Sequence, residues 1–445
     1  MTIQRERPGV TVELIAKAQE RVLPKSGVVL VPYQAEWGAP DTLIRMAGFE
    51  ERVAETFGEI DVLELAAASG ATVIGYRMTD ANTKTASYSQ NDAIKIEARY
   101  PGTRGNQLRI SITASSAEPG KKELQVTGGI KTEKYSFATA EELVGKTAES
   151  LHIRVSKLGT TSVTDVAETS LSGGTTGTAA LTAADFTKLF SAIGGADFDT
   201  LYLPSADQAI QAASKQFMLD RRTLNKKMST LVIGGKVEDD ANMAKHTERS
   251  VAQNARYVIN CAIAGEHVSG KDYSSLQWAA WVAGMAAATP AHVSLTAQPV
   301  PLKKARKDWS HTEILSALYT GTLIATRDGD SYLIESAINT LSVLGTGERE
   351  DFGKIRVSMT IDQIQNDALT VGKKYMGKLP NNDLGAAVFV GAYTTYLKIR
   401  EEQGAIDAGW VFEDTKNGVG DRRSFRLAAR PLDAIEYFDL SWEVQ

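Results

Sequence analysis

The strongest constraint on the fold lies at the two ends of the chain. Phe438, Leu440, Trp442 and Val444 alternate with Asp439, Ser441, Glu443 and Gln445. One apolar face and one polar face at period two is the pattern of a half-buried strand. Val10, Val12 and Leu14 alternate in the same way with Thr11 and Glu13, just after Pro8-Gly9. Exposed strands of this kind recruit other chains. From pattern alone two readings stay open. Either both terminal strands lie in the chain's own sheet and tie down the termini, or they pair with another copy. Burying Phe438, Leu440, Trp442 and Val444 would contribute roughly 6–12 kcal/mol, at about 1.5–3 each. Ordering about eight residues of backbone costs on the order of 8–16 kcal/mol. These terms nearly cancel, so ladder hydrogen bonds to an existing sheet must tip the balance. The arms are therefore expected to be mobile or self-docked in a monomer and ordered between subunits.

With 445 residues, 43% hydrophobic and 23% charged, the chain can build two to four domains with real cores. A formal net charge of −5 argues against a whole-surface attraction to nucleic acid. Met1–Arg7 is polar and lacks the apolar core of a signal peptide. The most apolar stretch, Gln277–Ala288, is too short and too alanine-rich to insert in a membrane. A soluble protein is expected. Cys261, the one cysteine, sits in the apolar run Tyr257–Cys261 and reads as a buried inert thiol, compatible with assembly in a reducing cytoplasm.

The opening reads β-α-α-β: a strand at Gly27–Val31 closed by Pro32, helices near Glu51–Phe57 and Val62–Ala68, and a strand at Ala71–Arg77. From Asp80 to about Thr178 the chain becomes rich in Thr, Ser, Gly and Lys. Short alternating runs (Ala93–Ala98, Gln107–Thr113, Glu123–Thr127, Lys134–Phe137, Leu151–Val155) are separated by turn chemistry such as Pro101-Gly102 and Gly128-Gly129. A small all-β domain with one helix at Thr139–Leu143 is expected there. From Ala183 strands (Thr200–Leu203, Ser229–Ile233, Tyr257–Ile263) alternate with helices (Ala183–Ile193, Ser205–Asn225, Asp240–Ala255), which implies parallel βαβ units. A helix at Ser275–Ala288 and strands at Gly321–Ala325 and Ser331–Glu335 follow. Val357, Ile361, Ile364, Ala368, Val371 and Tyr375 make one apolar stripe on a helix. A second helix, Asp383–Glu402, and strands Ala405–Phe412, Ser424–Ala429 and Ile435–Val444 complete an α+β unit.

The fold class is thus α/β and α+β multidomain. The boundaries are an N-terminal arm and connector at 1–23; a discontinuous parallel α/β domain at 24–79 plus 179–345; an inserted β domain at 80–178; and a C-terminal α+β domain at 346–445 ending in a strand arm. The insert is expected to be dispensable for folding of the rest.

Catalytic and metal-binding patterns are missing from the sequence. Gly234-Gly235-Lys236 follows a strand, but it lacks the earlier glycine of a phosphate loop and Val237 replaces the hydroxyl residue. The histidines are scattered, without His-Glu-x-x-His spacing, a Cys pair or a calcium loop. No Gly-x-Ser-x-Gly elbow occurs. Catalytic, cofactor and metal sites are all expected to be absent. The basic cluster Lys303-Lys304-Ala305-Arg306-Lys307 reads as a solvated loop or as a contact for an acidic protein surface.

Several segments in order resemble a known family. These are Pro8-Gly9-Val10-Thr11-Val12-Glu13, Gly27–Pro32 with Trp37-Gly38, and Ala98-Arg99-Tyr100-Pro101-Gly102-Thr103-Arg104-Gly105-Asn106. Leu171-Ser172-Gly173-Gly174-Thr175-Thr176-Gly177, Glu335–Leu341, the helix Arg356–Tyr375 and Gly404-Ala405-Ile406 continue the match. Together they are similar to the contractile tail sheath proteins of myophages and phage-tail-like particles. One departure is Thr176, where the family is commonly acidic, which puts any role for that loop in doubt. The resemblance implies a helical homopolymer of stacked rings around a tail tube. Terminal arms would join the C-terminal-domain sheets of neighbours, and contraction would drive the tube through a cell envelope without nucleotide hydrolysis. It implies tail tube, baseplate and tail-terminator proteins as partners. Assembly would take place in a bacterial cytoplasm, and the particle's sheath would be the destination. By the same resemblance the C-terminal domain faces the tube, with Lys373 and Lys374 as candidate contacts. Two other readings remain: an enzyme with a pocket at the carboxyl ends of the α/β strands, or an adhesin-like module binding through the β insert.

Overall fold

A computed structural model describes residues 27–46, 60–129, 131–177 and 181–443. Val10, Val12, Leu14, the expected helix Glu51–Phe57 and Val444 lie outside the described residues. The centre is a seven-stranded sheet. From one edge its strands are Thr322–Leu323, Val258–Cys261, Thr230–Ile233, Thr200–Tyr202, Val28–Tyr33, Thr72–Arg77 and Leu43–Met46. The strands pair in parallel except the last, an antiparallel edge that the sequence did not announce. Val28–Tyr33 is buried along its whole length, as expected of a parallel strand covered on both faces. Its alternation divides the core. Val29 and Val31 pack with Trp278, Val282 and Leu63, whereas Val28 and Leu30 pack with Phe186, Leu189 and Met218. The first layer is the helix Ser275–Ala288, apolar on every side and buried between the sheet and the helix Asp61–Ala67. The second comprises Ala183–Ile193 and Gln208–Thr223.

Several expected boundaries move. Asp207, not Ser205, caps Gln208–Thr223 by accepting from the Ile210 amide at 3.0 Å. Met243–Gln253 starts after a 3-10 turn, capped by Asn242. Gly321 does not begin a strand; it is the left-handed C-cap (φ 72°) of an unforeseen helix, His311–Thr320. The hairpin around Thr326–Asp330 pairs Ala325–Asp328 with Ser331–Ile334.

Between residues 87 and 170 lie two antiparallel sheets. One is four-stranded (Val166–Ser170, Arg109–Ala114, Lys122–Thr127, Glu133–Phe137) and the other three-stranded (Ser87–Gln90, Ile94–Ala98, Ile153–Lys157). Ile94, Ile96, Ile110, Ile112, Leu124 and Phe137 fill the space between them. The chain enters and leaves side by side, the Lys84 amide bonding Thr175 O at 3.0 Å and the Ser87 amide Ser172 O at 2.8 Å. Two residues outside this unit hold it. Trp37 inserts into its core, edge-on to Tyr100 at 5.5 Å. Arg77, 1% exposed, donates to the carbonyls of Ala35, Gly38 and Pro101. Gly102 (φ 136°) completes the seam, because a Cβ there would lie 1.9 Å from Glu36 O.

Candidate functional site

The carboxyl ends of the parallel strands are where the enzyme reading would place a pocket. They are filled by side chains bonded to one another. Asp240, fully buried, accepts from the Ser275 amide at 3.1 Å and from Arg306 at 2.8 Å, and burial pushes its carboxyl above the usual range. Arg249 donates to Asn260 Oδ1 and to His246 Nδ1, both at 2.6 Å. The His246 proton therefore sits on Nε2, facing the Asp240 carbonyl at 3.3 Å. Burial, helped by the adjacent Arg249, pushes the His246 pKa down to about 3. The enclosed cavity lined by Asp240, Ala262 and Lys307 is about 10 Å³, room for about one water, and an open surface depression of about 570 Å³ shares Lys307 with it and runs over Asn242, Thr247 and Glu313. Gly234 and Gly235 serve close packing rather than phosphate binding. A Cβ on Gly234 would lie 2.4 Å from Ser275 O, and the Gly235 amide bonds Ser275 Oγ at 3.0 Å. Cys261 is buried and its thiol is pushed up to about 12 by burial. Among the described residues no cluster of His, Cys, Asp or Glu could hold a metal, and no helix is long and apolar enough to cross a membrane.

The basic run at 303–307 differs from both readings of it. Lys303 pairs with Glu266 at 2.6 Å, Arg306 with Asp240 and Asp272, and Lys307 with Glu313 at 2.6 Å. It is largely neutralised within the chain.

The arrangement that bears on assembly is at the C-terminal end. The helix Ile355–Tyr375 spans two environments. Asp362 on its first half is buried with Arg222 (2.7 Å) and Arg256 (3.1 Å) from the central unit. Asn366 exchanges bonds with the Met228 amide and carbonyl at 2.9 and 2.8 Å. Ile364 and Val371 on its stripe join Tyr393, Tyr396 and Leu397 of Asp383–Glu402 in a separate core. The Tyr396 hydroxyl donates to Asp367 at 2.7 Å and accepts from Arg400 at 3.1 Å.

Over this core lies a hairpin, Val411–Asp414 paired with Phe425–Ala428. Phe412 and Phe425 turn inward to Tyr393 (4.6 Å) and Phe389 (4.8 Å), while Val411 and Leu427 stay exposed. A bridge between Ile406 and Pro431 extends the pairing. Among the described residues neither strand has a second neighbour. Two free edges therefore carry unpaired backbone groups.

The expected strand Ile435–Val444 is absent through residue 443, where no ladder partner lies beside it. Phe438, Leu440 and Trp442 are 76%, 94% and 89% exposed. One residue of this segment is held. Glu436 accepts from Thr296 Oγ1 at 2.7 Å, Ser336 Oγ at 3.2 Å and Lys354 Nζ at 2.6 Å. Sequence reasoning missed it, though a signal existed. Leu432, Ala434, Phe438, Leu440, Trp442 and Val444 share one parity, and Glu436 is the charge that interrupts it. Lys373 and Lys374 lie exposed in the last turn of their helix, outside the described ion pairs. Other exposed apolar residues of the C-terminal unit are Met376, Leu384 and Val419, the last on a hairpin tip that Asn381 holds by a 2.6 Å bond to Gly420 O.

Family models match in chain order: the phage tail sheath protein beta-sandwich domain at 79–178, the central domain at 179–340 and the C-terminal domain at 348–445. An uncharacterized protein of Bacillus subtilis, YqbK, is 26% identical over 99% of this chain and 98% of its own. A tail sheath protein of Clostridium phage phiCD119 is 25% identical over 40% of this chain and 49% of its own. The sheath tail protein of Desulfitobacterium hafniense shares the fold, with TM-score 0.75, 21% identity and coverage of 95% and 100% of the two chains. That of Listeria innocua does so with TM-score 0.73, 21% identity and coverage of 92% and 96%. A chain of the anti-feeding prophage baseplate is more distant, at TM-score 0.56 and 11% identity over 99% of this chain and 100% of that one. The three matches run from residue 79 to the C-terminus almost without gaps, and the chain belongs to the phage tail sheath family, structural proteins of phage-type tails.

Proposed function

We propose that this chain polymerises into a contractile sheath around a tail tube by exchange of terminal strands between subunits. The observation that carries the reading is a hairpin whose two edges are free among the described residues, in the same subunit as an exposed tail of strand periodicity. Strand addition to such edges uses backbone bonds for affinity and alternate side chains for specificity. Phe438, Leu440, Trp442 and Val444 form one arm, and Val10, Val12 and Leu14 the other. The domain division stated above, with the insert at 80–178, is part of the proposal. So are the partners: other copies, the tube protein, and baseplate and tail-terminator proteins, met in a bacterial cytoplasm before the particle is released. Family membership supports a role without catalysis.

Trp442→Asp places a charge on the apolar face and should abolish tubes in negative-stain micrographs while thermal unfolding is unchanged. Glu443→Lys, on the other face, should be much milder. Hydrogen exchange at residues 8–14 and 436–444 should slow on assembly. Normal tubes from Trp442→Asp would refute strand exchange by this segment.

A further inference from the structure

The geometry points to Glu436 as the positioning residue that fixes which way the C-terminal arm faces. This rests on the strand-exchange reading above and adds to it. In the segment leading to the arm, Leu432, Ala434 and Glu436 turn toward the body while Asp433, Ile435 and Tyr437 face solvent. Side chains of equal parity share a face of extended chain. Phe438, Leu440, Trp442 and Val444 have the parity of Glu436. The side to which Glu436 is pinned is therefore the side on which the apolar face emerges.

The pin is built from three segments distant in sequence. Thr296 and Ser336 come from the central unit, and Lys354 stands just before the helix Ile355–Tyr375. The Glu436 side chain is 9% exposed and Tyr437, the next residue, is 81% exposed. The change from held to free thus occurs across one peptide bond. The apolar run Phe438–Val444 begins two residues beyond the pin. Only Tyr437 separates pin from apolar run, too short a stretch to absorb a half-turn of the strand. An unpinned tail could rotate freely and would have no preferred face.

The test uses parity. One serine inserted between Tyr437 and Phe438 rotates the apolar residues to the opposite face, whereas a Ser-Thr pair restores them. Pelletable polymer should fall roughly tenfold or more with the single insertion and return with the double. In a Glu436→Ala background the single insertion should no longer matter, because the rotation is then free. Thermal unfolding of each variant checks that the body is intact, and Lys354→Met offers a second way to release the pin. Equal behaviour of the two insertions, with Trp442→Asp still blocking assembly, would overturn the pin and leave strand exchange standing. So would a parity effect that persists in Glu436→Ala. Normal assembly of Trp442→Asp would bring down both.

Discussion

At the scale of single residues, the buried polar groups of the central unit have consequences that can be measured without any assembly. His246 is neutral, with its Nδ1 accepting from Arg249 and its pKa held near about 3. An unfolded histidine titrates near 6.5. Between these values the unfolded chain binds the extra proton, so stability falls as pH drops below about 6.5, by up to about 1.4 kcal/mol per pH unit. Asp240, the neighbour whose carboxyl burial raises, acts in the opposite direction above the unfolded carboxylate range. His246→Gln should therefore flatten the dependence of melting temperature on pH between 6.5 and 4.5. Parallel curves for the two proteins would exclude the assignment. Asp362 is a buried charge of another kind. It is one carboxylate between two guanidiniums, invisible in sequence because Arg222 and Arg256 lie more than a hundred residues away.

At the scale of elements, long periodic segments could be read and short paired ones could not. The helix Asp383–Glu402 appears with the expected bounds, since its apolar residues, the Asn382 cap and the turn at Gly404 all agree. The pairs Gly265–His267 with Asp272–Tyr273, and Pro299–Val300, are two or three residues long. They exist because tertiary neighbours supply the ladder, which local sequence does not encode. The helix His311–Thr320 was legible in principle. Ser310 and Glu313 form a capping box and Gly321 closes the far end. The candidate site was half visible: period two marked the tail, but the contacts of Glu436 are made by tertiary structure. Contacts of this kind also change the expectation for the β insert. Trp37 lies outside 80–178 yet is 5% exposed inside that unit's core. Replacing 80–176 by a Gly/Ser linker should leave an aggregating protein if Trp37 is kept, and a soluble, cooperatively unfolding one with Trp37→Ser. Aggregation of both, judged by size-exclusion chromatography, would mean that the insert is needed for the rest to fold.

At the scale of the whole molecule, the two proposed attachments of the C-terminal unit can be separated. Lys373 and Lys374 close a helix at the end where Met376 is exposed, away from the Glu436 pin at the other end of that helix. Reversing both charges with Lys373→Glu and Lys374→Glu should weaken co-sedimentation with tube while sparing empty polymers. Loss of the empty polymers would assign these lysines to contacts between subunits instead. The size of the hairpin carries a last consequence. Each of its strands is four residues long, so a free edge offers only a few backbone bonds, worth about 1 kcal/mol each. Side-chain burial and chain ordering in the arm nearly cancel, so these few bonds set the strength of one capture. On the proposed strand exchange a single misplaced subunit would therefore leave again, and a lattice built from such joints would correct its own errors while it grows.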